Sequence, residues 1–169
     1  MAALPALAQT HGGHPGGHPA SRAPARPGPR PIGKFEDWQA ATYQEGSQTV
    51  CYALSRAVSS TPALPGRGQV FLTVTERASG RDAVALSAGY AYPANATVAV
   101  QVDQTTLDFY TAQRSAFARD GHAAVQVFAK GRQAVAKGPG PRGASVTDTF
   151  SLRGFEAAYA AITKACPAK

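Results

Sequence analysis

The chain is poor in the residues that most often carry chemistry. Beyond position 18 its only histidine is His122, which excludes a multi-histidine metal cage from the body of the sequence. The two cysteines, Cys51 and Cys166, are far apart, so there is no Cys-x-x-Cys redox motif. No G-x-S-x-G elbow or G-x-x-x-x-G-K loop occurs, no G-x-G-x-x-G leads from a strand into a helix, and the acidic residues offer no obvious catalytic pair. A nucleophilic triad, a phosphate cradle and a glycosidase carboxylate pair therefore all lack motif support. No run of about 18 apolar residues is present that could span a bilayer as a helix. Charged residues are also scarce, 16% against 44% hydrophobic, a balance that suits one buried core in a chain of 169 residues.

What charge there is lies unevenly. The net charge is +7, yet residues 1–34 carry Arg22, Arg26, Arg30 and Lys34 and no acid, giving +4. The remainder sets 13 basic residues against 10 acidic ones, so the folded part is nearly balanced and gives no case for nucleic-acid binding. Residues 1–8 end in Ala6-Leu7-Ala8, the small-x-small form that signal peptidase cleaves, and read as the remnant of a signal peptide. Residues 9–34 are dominated by His, Pro and Gly. They bury too little to offset their ordering entropy and read as a disordered tether. His11, His14 and His18 lie in this tether at spacings of three and four, candidate ligands for Cu(II), Ni(II) or Zn(II). The opposing reading is a solvated low-complexity tail whose histidines bind nothing specific, with its basic charge available for contact with acidic envelope surfaces. Any such contact would weaken with salt.

From residue 35 to 169 the apolar pattern has period two, broken by turn residues, and the spacing predicts a mainly β domain. Strands are expected at 37–43 and 49–54 around Glu45-Gly46, at 70–75 and at 83–87. Further strands follow at 98–102 and 107–109 around Asp103-Gln104, then at 133–137 and 145–150 around a Gly/Pro loop. Two short helices interrupt the pattern. Asp120 caps the first, with Ala124, Val127 and Phe128 on one face and Gly131 as its stop. Ser151 is expected to cap the second, C-terminal one, whose stripe is Phe155, Ala158, Tyr159, Ile162 and Cys166 before Pro167.

An exported chain meets an oxidising compartment, where Cys51 and Cys166 are expected to form a structural disulfide joining a strand to the last helix. Asp148 alternates with Val146 and Phe150, so it is expected to face the core. There it needs a partner, such as Arg114, Arg142 or backbone amides.

The stretches RGQVFLTVTERASG, ALSAGYAYPANATVAVQVD, LDFYTAQRSAFA and RGASVTDTFSLRGFEAAYAAITKAC, with Trp38 and Cys51-Tyr52 before them, resemble the invasion-associated locus B family of exported alphaproteobacterial proteins. The resemblance covers residues 35–166. It implies an immunoglobulin-like antiparallel β-sandwich with added helices, a periplasmic, envelope or secreted location and no known enzymatic activity; no cofactor is expected. Some members carry a further cysteine pair that this chain lacks. The expected function is that of a non-catalytic envelope interaction module, linked through the family to host-cell invasion, with an envelope or host protein as partner. The competing expectation is a periplasmic metal-binding accessory protein acting through the histidine-rich tail.

Overall fold

A computed structural model describes residues 27–168. The signal remnant and the three tail histidines, His11, His14 and His18, lie outside the described residues. In chain order the elements are β1 (Arg30–Phe35), β2 (Trp38–Glu45), β3 (Gln48–Thr61), β4 (Phe71–Arg77), β5 (Gly80–Ser87), β6 (Thr97–Val102), β7 (Thr105–Ala112), β8 (Ser115–Ala118), α1 (Gly121–Lys130), β9 (Gln133–Pro139), β10 (Ser145–Ser151) and α2 (Phe155–Ala165). β1 begins at Arg30, so the last five residues of the stretch read as tether are strand.

The strands do not form an immunoglobulin-like sandwich. They run antiparallel in the order β1-β2-β3-β10-β9-β6-β7-β8-β5-β4, and β4 pairs back onto β3, closing eight strands into a barrel. The error has a physical origin. Sandwich and barrel strands share the same inward and outward alternation, and only pairing between distant segments tells them apart. Here two pairings decide it: Cys51 to Arg56 of β3 against Phe71 to Glu76 of β4, and Ala85 to Ser87 of β5 against Ser115 to Phe117 of β8. β8 has only four residues, too few to show a period.

Inward-facing Leu72, Val74, Val84, Leu86, Val98, Val100, Phe109, Ala116, Ala136 and Phe150 are all buried and fill the barrel with side chains. The β1–β2 hairpin extends from the first half of β3, and α2 packs under it. Trp38, Phe128, Phe155 and Tyr159 join hairpin and helices. Phe155 lies 5.0 Å from Trp38 and 5.5 Å from Phe128, both edge-on. Both helices thereby cover the barrel end at which β6, β8 and β10 finish.

Asp120 caps α1 as the sequence suggests, its side chain accepting from the Ala123 N–H at 2.9 Å, and Gly131 ends the helix. Val125 is buried on that face together with Ala124 and Phe128, while Val127 is only half-buried. The start of α2 differs from expectation. Ser151 belongs to β10, and its hydroxyl donates to Asp37 at 2.6 Å, tying the hairpin turn to the sheet. The N-cap is Gly154 at φ +85, where a Cβ would overlap the Phe35 carbonyl, so glycine is required by both conformation and space.

Cys166 at the end of α2 is disulfide-bonded to Cys51 of β3, with the Cα atoms 5.9 Å apart and a sequence separation of 115. Closing so long a loop restricts the unfolded chain by about 4 to 5 kcal/mol in the chain-entropy picture, with measured values often smaller. Replacing both cysteines by alanine is expected to lower unfolding free energy by roughly 2 to 5 kcal/mol in urea titration. An unchanged midpoint would show that α2 holds its place without the bridge.

Candidate functional site

Two groups of buried polar side chains stand out against the apolar interior. The first is built around Asp148. Its inward position follows from the β10 alternation, with Val146 and Phe150 also buried. The partner is neither Arg114 nor Arg142 but Arg67, from the loop between β3 and β4. Its Nη1 and Nη2 donate to the two carboxylate oxygens at 2.8 and 2.7 Å. The two side chains are 6% and 4% exposed, and Arg67 Nε donates to the Ala88 carbonyl at 2.7 Å. The guanidinium also lies 4.8 Å from the Tyr90 ring centre. All three guanidinium nitrogens and both carboxylate oxygens are hydrogen-bonded, which is what makes burying the pair tolerable. Tyr90 and Tyr92 pack edge-on beside it, and burial raises both phenols above their ordinary value. This group seals the barrel end opposite the helices. Arg114 serves the same end differently, donating to the Gly89 carbonyl at 2.7 Å, and Arg142 sits exposed in the β9–β10 loop.

The second group was not anticipated, although its signal is in the sequence: Glu76 extends the inward series Leu72, Val74, and Asp82 precedes the inward series Val84, Leu86. Glu76 is completely buried and lies opposite Cys51 across the β3–β4 ladder. Its Oε1 accepts from the Asp82 N–H at 3.2 Å. Arg81 Nε is 2.7 Å from Oε2, an ion pair whose alignment leaves that oxygen without a hydrogen bond. The Asp82 carboxylate accepts from the Tyr159 hydroxyl at 2.6 Å and faces His122 Nδ1 at 2.8 Å. Burial, then the neighbouring Asp82, pushes the Glu76 carboxyl up to about 7 against the opposing pull of Arg81. For Asp82 burial acts upward too, but bonds from Tyr159 and His122 outweigh it and hold the carboxyl below its ordinary value. Burial and then Asp82 raise the Tyr159 phenol to about 12.

His122 has an exposed ring, and no serine hydroxyl is bonded to it among the described residues, so a nucleophilic triad is not assembled. Nor do the described residues contain a cluster of three or more His, Cys, Asp or Glu side chains arranged to hold a metal ion. The outer wall carries a groove instead. Two adjoining hollows of about 460 and 390 Å³ share Lys34, Gln39 and Leu54 and run from Pro29 and Tyr52 to Arg56 and Phe71. It lies where the β1–β2 hairpin leaves the barrel. A smaller apolar hollow of about 220 Å³ sits under the Gly/Pro loop between Leu64 and Val146.

Together these features define a small closed β-barrel, filled with side chains, covered at both ends and stapled by one disulfide. The chain belongs to the invasion associated locus B (IalB) family, whose model matches residues 38–163. Its fold is similar to the crystal structure of invasion associated protein B from Bartonella henselae, with a TM-score of 0.57 at 17% identity, covering 79% of this chain and 96% of that one. No curated protein matches the chain significantly. No helix among the described residues is long and apolar enough to cross a membrane.

The Arg67–Asp148 pair yields a stability test. Asp148→Ala strands a buried guanidinium and is expected to cost about 3 to 5 kcal/mol. A double replacement with apolar residues of similar size, Arg67→Met with Asp148→Leu, is expected to recover most of that loss. Thermal melts of the three proteins check both, and a harmless Asp148→Ala would remove the pair from the list of structural supports.

Proposed function

We propose that this chain is a non-catalytic protein of the bacterial envelope, exported to the periplasm or beyond, which acts by presenting its outer wall to a protein partner. The observation that carries this reading is the filled, doubly covered barrel with its long-range disulfide. An interior occupied by Leu72, Val74, Val100 and Phe109 is organised for rigidity rather than for enclosing a substrate. A bridge between Cys51 and Cys166 suits an oxidising compartment. The open groove between Pro29 and Phe71 combines an apolar floor at Tyr52 and Leu54 with Lys34, Glu36, Asp37 and Arg56 around it, a mixture that suits a peptide or protein surface. Family membership supports this reading, and the family's name suggests host-cell entry as its setting.

Fractionation of cells expressing the full native chain is expected to place it in the osmotic-shock fraction or the medium, with no thiol reacting until a reductant is added. Cytosolic protein with two reactive thiols would overturn the export reading. For the interaction itself, a photo-crosslinking side chain at Leu54 is expected to give a discrete heavier adduct in cells, and the same group at exposed Thr106 on β7 is not. Equal labelling from both positions, or none from Leu54, counts against the groove.

A further inference from the structure

The cluster around Glu76 joins three parts of the molecule. β4 and β5 supply Glu76, Arg81 and Asp82, α1 supplies His122, and α2 supplies Tyr159. The end of α2 is held twice more, by the Cys51–Cys166 bridge and by Arg81, whose Nη1 donates to the Cys166 carbonyl. β3 contributes only the bridged Cys51, which does not titrate, and the Thr49 carbonyl near the Cys166 sulfur. The approach of α1 is so close that a Cβ on Gly121 would overlap the Asp82 carbonyl, so the first turn of that helix rests directly on the cluster. Two carboxyls therefore meet one guanidinium at a site where Glu76 is sealed from water, Asp82 is nearly so and Arg81 is partly exposed, while the imidazole stands largely outside.

With the imidazole neutral, two ionised carboxyls would face a single guanidinium and leave a negative charge unbalanced. Glu76 is the one to take the proton. It is completely buried and its Oε2 lacks a hydrogen bond, whereas Asp82 has two side-chain partners. We propose that the Glu76–Asp82 pair is a proton-dependent clasp: both helices are held firmly on the barrel while Glu76 carries a proton, and its loss loosens α2 at Tyr159 and beyond.

The sign follows from the two states of Glu76. In the unfolded chain the carboxyl titrates near 4.5 and in the folded protein at about 7. Between those values the folded state binds more protons, so the stability contributed by protonated Glu76 is present in mild acid and is lost as pH rises through about 7. Asp82 acts in the opposite sense, but only at lower pH, since its folded value lies below the ordinary 3.8.

Amide hydrogen exchange on the oxidised full chain, corrected for the intrinsic pH dependence of exchange, reads the clasp directly. Protection of α2 amides is expected to fall by roughly tenfold or more between about pH 5 and about pH 8, with β6 and β9 changing little. Glu76→Gln, which is neutral at every pH, is expected to abolish that change, and His122→Gln to leave it in place. Infrared spectra of glutamate-labelled wild type supply a readout that needs no variant: a protonated carboxyl band present in mild acid and fading through neutrality. Unchanged α2 protection across the range, a pH response lost in His122→Gln but kept in Glu76→Gln, or no protonated glutamate band in mild acid would each overturn the proposal.

Discussion

The fourteen residues of β3 pair with three strands, and the barrel closes only because β3 changes neighbour along one edge. Gln48 to Leu54 pair with β2, Ala57 to Thr61 pair with β10, and Cys51 to Arg56 pair with β4 on the opposite edge. A strand shared in this way belongs both to the barrel and to the hairpin that leaves it. The groove at Leu54 and Arg56 lies at the point of departure, where, read along β3, the pairing with β2 has stopped and that with β10 has not yet started. The outer hollow is thus a consequence of closure, because one edge cannot pair with two strands at the same residues. Cys51 is on this same strand, so the bridge to Cys166 ties α2 to the element on which closure depends.

A filled barrel still has two open ends, and this chain covers them by different means. At one end the β3–β4 loop lays Arg67 across the opening and fixes it to β10 and to the end of β5. At the other, two amphipathic helices bring Phe128, Phe155 and Ile162 into the core. The loop adds apolar contact through Leu64 and Val70, but Arg67 is held across the opening by directed bonds. The helices gain their hold mainly from apolar area, and the polar cluster beneath them sets where they sit.

Much of this was legible in the sequence, and the limits have physical causes. Alternation placed eight of the ten strands, missing β1 and β8, helical spacing placed both helices, and the local chemistry of Asp120 and Gly131 marked the ends of α1. The inward position of Asp148 could be read from Val146 and Phe150, but not its partner. Arg67 lies in a Gly/Pro-rich loop without a period, and the contact spans 81 positions. Closure was missed for the same reason, since it rests on pairings between distant segments and on the four-residue β8. Glu76 and Asp82 are a different case. Their parity points inward, yet an acid at the end of an apolar series reads locally as the point where a strand leaves the core. Only the arrival of α1 and α2 over those positions buries them.

The two buried polar groups differ in charge balance, and that difference decides how each responds to its surroundings. Arg67 and Asp148 are one cation and one anion in bidentate contact, so the pair is complete at any pH where both are ionised. Glu76 and Asp82 share a single partly exposed Arg81 and an imidazole that is 73% exposed, so their balance depends on a proton. The loop-covered end is therefore closed by a pair whose charges cancel within it, and the helix-covered end by a group with no such internal match. Because Arg81 also binds the Cys166 carbonyl, the proton-sensitive group and the disulfide act on the same last turn of α2. With the bridge intact, deprotonation can loosen the helix but cannot release it from β3, which confines the response to local motion at one end of an otherwise fixed barrel.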